Sequence, residues 1–289
     1  MKLIRFGKLG KEKPGIAVEG VYYDVSEVIE DYNEVFFESG GLKRLEALLK
    51  QKMNNLSKLP DSARLGSPVA RPSKIVCIGL NYADHAKETN AALPSEPVIF
   101  LKATSSLSGP FDDIIIPKNS EKTDWEVELA VVIEKKATYV SEDKAMNYVA
   151  GYCLHNDISE RNFQLERNGT WDKGKGCDTF APLGPWLVTK DEIKDLNDLR
   201  LWLTVNGKTM QDGTTANLIF KIPFLVSYVS QFMSLLPGDV ISTGTPAGVG
   251  LGIKPNVYLK EGDVVELGIA GLGIARQSVK AYQPNLVRQ

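Results

Sequence analysis

EKTDWEVELAVVI, residues 121–133, reads as a β-strand that carries a difficulty. Side chains alternate along a strand, so Trp125, Val127, Leu129 and Val131 share one face while Glu126, Glu128, Ala130 and Val132 share the other. Two glutamates then stand side by side. Their face turns apolar within two residues, so water cannot do all the screening, and like charges so placed repel. Something else in the chain has to make the pair tolerable.

Outward from this run lie many short apolar stretches. KIVCIGL, PVIFLKA, DDIIIP, VAGYCLHND, PLGPWLVT, LRLWLTVNGK, DVISTG and DVVELGI are of strand length and are bounded by Gly, Pro, Asn or Asp. VNGK, at Val205 to Lys208, predicts a type I′ hairpin. Helical patterns are fewer. SEDKAMNYV opens on Ser141 as N-cap, and IPFLVSYVSQFMSLL stops before Pro237 and Gly238. Strands and helices do not alternate as a doubly wound fold requires, and no internal repeat is present, so the expected class is α+β dominated by mixed β-structure. Residues 1–66 read as a small N-terminal α/β appendage. KLIRFG, GIAVEG and VYYDVS are its strands, and GLKRLEALLKQKM is its helix, with Leu42, Leu45, Leu48 and Leu49 at helical spacing. The aperiodic Pro-, Ser- and Gly-rich segment Leu59 to Lys74 is expected to link it to a main domain over 67–289.

The chain has 289 residues, 43% hydrophobic and 24% charged, with a formal net charge of −2, the profile of an ordinary globular protein. Scattered Lys and Arg argue against a nucleic-acid partner. No apolar stretch approaches the roughly 20 residues that span a bilayer, and MKLIRFGKLGKEKPG lacks a signal-peptide core, so a cytoplasmic protein without a membrane partner is expected. Cys77, Cys153 and Cys177 have no ligand spacing and read as small hydrophobes in a reducing compartment.

Four groups of residues have chemical potential. Asp157 follows an apolar run directly, at a strand end where side chains converge, and with Glu126 and Glu128 it makes an oxygen-only set suited to Mg²⁺ or Mn²⁺. Such an ion would remove the repulsion in the opening strand; a solvated strand face with salt bridges to nearby lysines is the alternative. In GLNYADHAKE, His85 and Glu88 are three apart, so one helical turn sets carboxylate beside imidazole and leaves the other ring nitrogen as a general base. His155 is the second of the chain's two histidines and reads as a core or supporting residue. Lys173 and Lys175 lie in the Gly-flanked loop WDKGKGCDTF, where a lysine could neutralise a carboxylate or a developing enolate, or merely face solvent. Thr243 and Thr245 lie in PGDVISTGTPAGVG, a turn able to hold a carboxylate but lacking the GK[ST] ending of a phosphate loop.

Together GLNYADHAKE, PVIFLK, DWEVELAVVI, GYCLHNDISERNFQ, GKGCDTFAPLGPW and GDVISTGTPAGVG, in that order, resemble the fumarylacetoacetate hydrolase family from about Lys74 to Val279. The resemblance implies a β-rich roll, a homodimer, and Mg²⁺ or Mn²⁺ held at Glu126, Glu128 and Asp157. It implies cleavage of carbon–carbon bonds in β-diketo acids, with water activated by His85 and Glu88 on a closing segment. Lys175 would stabilise the enolate, and Lys102, Arg161, Gln164 and Thr245 would contact substrate. Within the family the chain is similar to the bacterial 2,4-diketo-3-deoxy-L-rhamnonate and -fuconate hydrolases, whose close members are often labelled ureidoglycolate lyase. The implied substrate is such a sugar acid, cleaved to pyruvate and a hydroxy acid such as lactate. Oxaloacetate decarboxylation or tautomerisation, fumarylpyruvate hydrolysis and ureidoglycolate cleavage are alternatives on the same site, and a non-catalytic binder of small acids or metal is an alternative of another class. Gly176 and Cys177 stand where many relatives have Ser and Phe. Residues 89 to 96 and 162 to 173 are expected to shape the pocket.

Overall fold

The computed structural model describes residues 1–88 and 92–284. Residues 89–91, within the first of the two pocket-shaping segments, lie outside the described residues.

The strand Val127–Ile133 lies inside a ten-stranded mixed sheet, every one of its residues buried. Its alternation sends the side chains into two different cores. Val127, Leu129, Val131 and Ile133 enter one, while Ala130 and Val132 enter the other, on the opposite face of the sheet. With both faces covered, the run can be apolar at nearly every position. On one side it pairs antiparallel with Val149–Asn156, and on the other with Val240–Ser242. The sheet continues from Val240–Ser242 through Ile75–Gly79, in parallel, to Val98–Lys102.

A second sheet of five strands, in the order Lys208–Thr214, Arg200–Val205, Val264–Ile269, Gly273–Ala281 and Ile114–Ile116, supplies Leu201, Leu203, Val265, Leu267 and Val279 to the first core. The helix Ile222–Phe232 adds Leu225, Val226 and Val229 to it. The arrangement is the expected α+β class, rich in mixed sheet. At the predicted hairpin, Asn206 and Gly207 have φ of 52° and 78°, the two positive values a type I′ turn demands.

Residues 1–66 do not stand apart. Lys2–Phe6 pairs with Leu187–Thr189, so the hairpins Lys2–Phe6, Lys13–Val18 and Val21–Asp24 extend the large sheet, and Leu65–Gly66, inside the expected linker, pairs with Lys2–Phe6 as well. The helix Gly41–Lys52 forms where the leucine spacing predicts it, and Leu45 joins Phe36 and Phe37 in the second core. The sequence reading treats short Gly-broken strands as a local unit, but a strand with a free edge finds its partner wherever the fold offers one. A second difference concerns Glu142–Tyr148. It is a 3₁₀ helix, and Ser141 makes no side-chain cap. Among the described residues no helix is long and apolar enough to cross a membrane.

Candidate active site

The pairing directions collect chemistry at one end of the large sheet. Val240–Ser242 and Ile75–Gly79 run parallel, so their C-terminal loops, Thr243 to Leu251 and Leu80 to Glu88, leave the sheet side by side. Val127–Ile133 runs antiparallel to them and Val149–Asn156 antiparallel again, so Glu126 and Asp157 are neighbours, tied by the Asp157 amide donating to the Glu126 carbonyl at 2.9 Å. One carboxylate oxygen each of Glu126, Glu128 and Asp157 lies within 4.8 Å of the others, and all three side chains are buried. At that spacing a like-charged pair costs about 3 kcal/mol at an effective dielectric near 20, so the triad needs cations close by.

Lys175 supplies the first. Its ammonium donates to Glu126 and Asp157, each at 2.7 Å. Lys102 donates to Asp157 at 2.5 Å and to the Ile158 carbonyl at 2.9 Å. Arg161 reaches Glu126 at 2.6 Å, Asp124 at 2.8 Å and the Gln164 side-chain oxygen at 2.9 Å. Burial alone would push the Asp157 carboxyl up, but Lys102 and Lys175 outweigh it and hold the group below the usual carboxylate range. In the same way burial opposes the Lys175 ammonium, yet Asp157 and Glu126 hold it above its ordinary value.

Glu128 is different. Burial first, then Asp157 and Glu126, push its carboxyl well above the usual range, and the Ser242 hydroxyl at 2.5 Å and Gly244 amide at 3.0 Å do not cancel that push. Negative charge therefore exceeds what the protein's own cations neutralise at this one residue. An all-oxygen donor set with such an excess fits a hard divalent cation, and Glu126, Glu128 and Asp157 are the residues that would hold it.

A cavity of about 220 Å³ opens onto this network and is lined by Glu126, Glu128, Arg161, Gln164, Lys175 and Thr245, with His85 among the other lining residues. The helix Ala83–Glu88 places His85 Nδ1 3.4 Å from Glu88, and the Gly248 amide donates to both Glu88 oxygens at 3.0 and 3.1 Å. Thus Glu88 bridges the imidazole to the glycine-rich loop. Thr245 lines the cavity while its hydroxyl donates to the Val127 carbonyl at 2.9 Å and accepts from Gln211 at 2.8 Å. Three expected residues sit elsewhere. Lys102 is buried behind Asp157 and is not part of the cavity wall, Thr243 donates inward to the Leu129 carbonyl, and the exposed Lys173 bonds the Asn168 carbonyl. His155 supports the site from inside the sheet, with Nδ1 2.6 Å from the Ser242 hydroxyl.

Asp124 is a further functional residue, one that no motif in the sequence singles out. It is fully buried, takes Arg161, and accepts the amides of Trp125 at 2.8 Å, Gly250 at 2.7 Å and Leu251 at 3.0 Å, fixing the glycine-rich loop over the triad. Its signal was present: positions 124, 126 and 128 are three acids on one alternation face. Trp171 and Phe100, packed edge to face at 5.4 Å, wall the cavity; they lie in WDKGKGCDTF and PVIFLK, where the charged residues alone suggest chemistry.

Fold and site together define a β-rich enzyme scaffold with a buried carboxylate triad beside a cavity that His85, paired with Glu88, also lines. Residues 74–280 match the fumarylacetoacetate (FAA) hydrolase C-terminal family, and the chain belongs to that family. A protein of Burkholderia multivorans named only in general terms as a hydrolase is 52% identical over 283 residues, 97% of this chain and 99% of its own. The solved fumarylacetoacetate hydrolase of Exiguobacterium antarcticum superposes with a TM-score of 0.84 at 36% identity, covering 98% of this chain and 100% of its own. Maleylpyruvate hydrolase from Sphingobium sp. SYK-6, solved with manganese(II) and pyruvate, superposes at 0.82 with 27% identity over 98% and 100% of the two chains. These relatives support an activity of acylpyruvate hydrolase or isomerase type.

Proposed function

We propose that the protein hydrolyses the carbon–carbon bond of a 2,4-diketo acid, giving pyruvate and a carboxylic acid, with 2,4-diketo-3-deoxy-L-rhamnonate or -fuconate as the preferred substrate. The observation that carries this reading is the convergence on one cavity of His85, held by Glu88, with Glu126, Glu128 and Lys175, the last tied to Asp157. A Mg²⁺ or Mn²⁺ ion at Glu126, Glu128 and Asp157 would supply Lewis-acid polarisation of the 2-oxo end of the substrate. His85 takes a proton from water, whose oxygen attacks the 4-keto carbon, while Glu88 keeps the ring oriented and stabilises its charge. The bond between carbons 3 and 4 then breaks with its electron pair passing to the pyruvate fragment as an enolate, near the Lys175 ammonium. Protonation of carbon 3 completes the reaction. Gln164 accepts from Arg161 through its oxygen and lines the cavity, so its amide nitrogen is the donor for a hydroxyl on the tail. Arg161 and Thr245 border the same space, and Lys102 holds Asp157 in place from behind.

The test is loss of absorbance of the enolised diketone on the sugar acid and on acetylpyruvate, with Mg²⁺, Mn²⁺ or chelator. Chelator-sensitive turnover with pyruvate appearing in step supports the reading; no turnover of any diketone discards it. The second reading is isomerisation, favoured by the 5-carboxymethyl-2-hydroxymuconate delta-isomerase of Mycobacterium smegmatis, 32% identical with a TM-score of 0.76 over 98% and 100% of the two chains, together with decarboxylation as related enolate chemistry that needs no attacking water. His85→Ala separates the two, because it abolishes hydrolysis yet leaves decarboxylation of oxaloacetate partly intact. A homodimer belongs to the same proposal, read out by light scattering on the purified chain.

A further inference from the structure

The cations around the cavity are all engaged. Lys175 is shared between Glu126 and Asp157, Lys102 is held by Asp157, and Arg161 spends its donors on Asp124, Glu126 and Gln164. In this network four buried carboxylates, Asp124, Glu126, Glu128 and Asp157, face three buried cations, Lys102, Lys175 and Arg161, leaving one negative charge over. A divalent cation and one substrate carboxylate complete the balance.

The remaining wall is apolar. Trp171, Phe100, Leu80, Leu165 and Leu251 line it. Trp171 is pressed onto Gly79 so closely that a Cβ there would lie 2.6 Å from the indole ring, so this aromatic wall stands directly against the strand end. Among the described lining residues, Arg161 and Lys175 are the only Lys or Arg, and both are tied to the triad and Asp124.

We infer that the cavity selects 2-oxo acids with a neutral, largely apolar tail and excludes those with a second carboxylate. The inference rests on the proposed reaction for the orientation of the substrate, with its 1-carboxylate and 2-oxo group at the triad and its tail against Trp171 and Leu165. A tail carboxylate would lie against apolar wall with no Lys or Arg free among the described lining residues to meet it, or would have to take Arg161 from Asp124 and Glu126, stranding those groups. A methyl or hydroxyalkyl tail instead covers apolar wall and can take one hydrogen bond from Gln164. This separates the chain from its structural neighbour that acts on maleylpyruvate, a dicarboxylate.

The test is calorimetric titration of the full-length, Mn²⁺-loaded protein with 2-oxohexanoate and 2-oxoadipate, which match in chain length and differ in the tail charge. Binding of the monoacid is expected to be tighter by roughly 30-fold or more. Equal or tighter binding of 2-oxoadipate, or binding of neither, would overturn the inference. Leu165→Arg, at a half-exposed position on the cavity rim, provides the second measurement. It is expected to narrow the ratio at least about fivefold by giving the tail carboxylate a partner; an unchanged ratio shows that the tail lies elsewhere. Turnover of acetylpyruvate on the same preparation keeps the two readings apart. Absence of turnover on both acetylpyruvate and the sugar acid removes the hydrolase, while the ratio of the two affinities still reports on the tail.

Discussion

A serine hydroxyl carries one proton, and Ser242 stands between two groups that can bond it. Its oxygen is 2.5 Å from Glu128 Oε2 and 2.6 Å from His155 Nδ1. With Glu128 ionised, as cation binding there requires, the carboxylate only accepts, so the serine proton goes to Glu128 and His155 donates through Nδ1. The imidazole is therefore the neutral Nδ1–H tautomer, consistent with burial pulling it down to about 3 and with an Nε2 that has no hydrogen-bond partner among the described residues. The chain from His155 through Ser242 fixes one Glu128 oxygen, which orients the carboxylate most in need of a cation. Ser242→Ala is accordingly expected to weaken Mn²⁺ binding by about 10- to 100-fold, read by electron paramagnetic resonance of the free ion. It also leaves the buried His155 N–H without an acceptor, costing roughly 1–3 kcal/mol of stability in chelator. Unaltered Mn²⁺ affinity would show that Glu128 needs no such support. The sequence holds both residues openly, His155 opposite Glu128 across two paired strands and Ser242 one strand further, but that proximity exists only once the register is known.

At the level of elements, the short helix Ala83–Glu88 is held against the loop after Val240–Ser242 by one carboxylate. Glu88 takes the Gly248 amide on both oxygens and lies against Gly252, where a Cβ would fall 2.3 Å from its carboxyl carbon. The atom in the way is the end of a flexible side chain, so Gly252→Ala is expected to displace Glu88 and leave the fold intact. The rate should drop about 10- to 100-fold, as for Glu88→Gln, with a small change in melting temperature. Adding Glu88→Gln to Gly252→Ala should then cost nothing further, since both remove the same contact. An additive loss would mean that Gly252 acts on something other than Glu88. The His85–Glu88 turn was legible because helical spacing is local, and so was nearly every strand rich in apolar residues. Gly273–Ala281 escaped for a physical reason. Its inward positions alternate properly, but one of them is Gln277, buried and bonded to Asn156 at 3.1 Å and to the Pro110 carbonyl at 2.6 Å, so the apolar rhythm is broken by a satisfied polar group.

Over the whole molecule, the residues hardest to foresee are those whose role depends on distant partners. Asp124 joins Arg161 to amides more than a hundred positions away at Gly250 and Leu251, and no periodicity in one segment announces that. The N-terminal segment follows the same logic. It carries none of the groups around the cavity, yet it covers the face of the large sheet opposite the first core. Leu3, Ile16, Val25, Ile29, Tyr32, Phe36, Phe37 and Leu45 pack with Ile75, Cys77, Ala130, Val132 and Cys153, and Ala130 and Val132 belong to the strand that begins just after Glu126. Large apolar side chains contribute about 1.5–3 kcal/mol each when fully buried, so those eight together match or exceed the roughly 5–15 kcal/mol by which a native domain is stable. Removal of residues 1–66 also strips Leu187–Thr189 of a paired strand and leaves a sheet edge open. The truncated chain is therefore expected to be insoluble, or to lose its cooperative thermal transition, even though every residue of the proposed site remains. Soluble truncated protein that melts cooperatively and still binds Mn²⁺ would show instead that the sheet and the carboxylate triad stand without that cover.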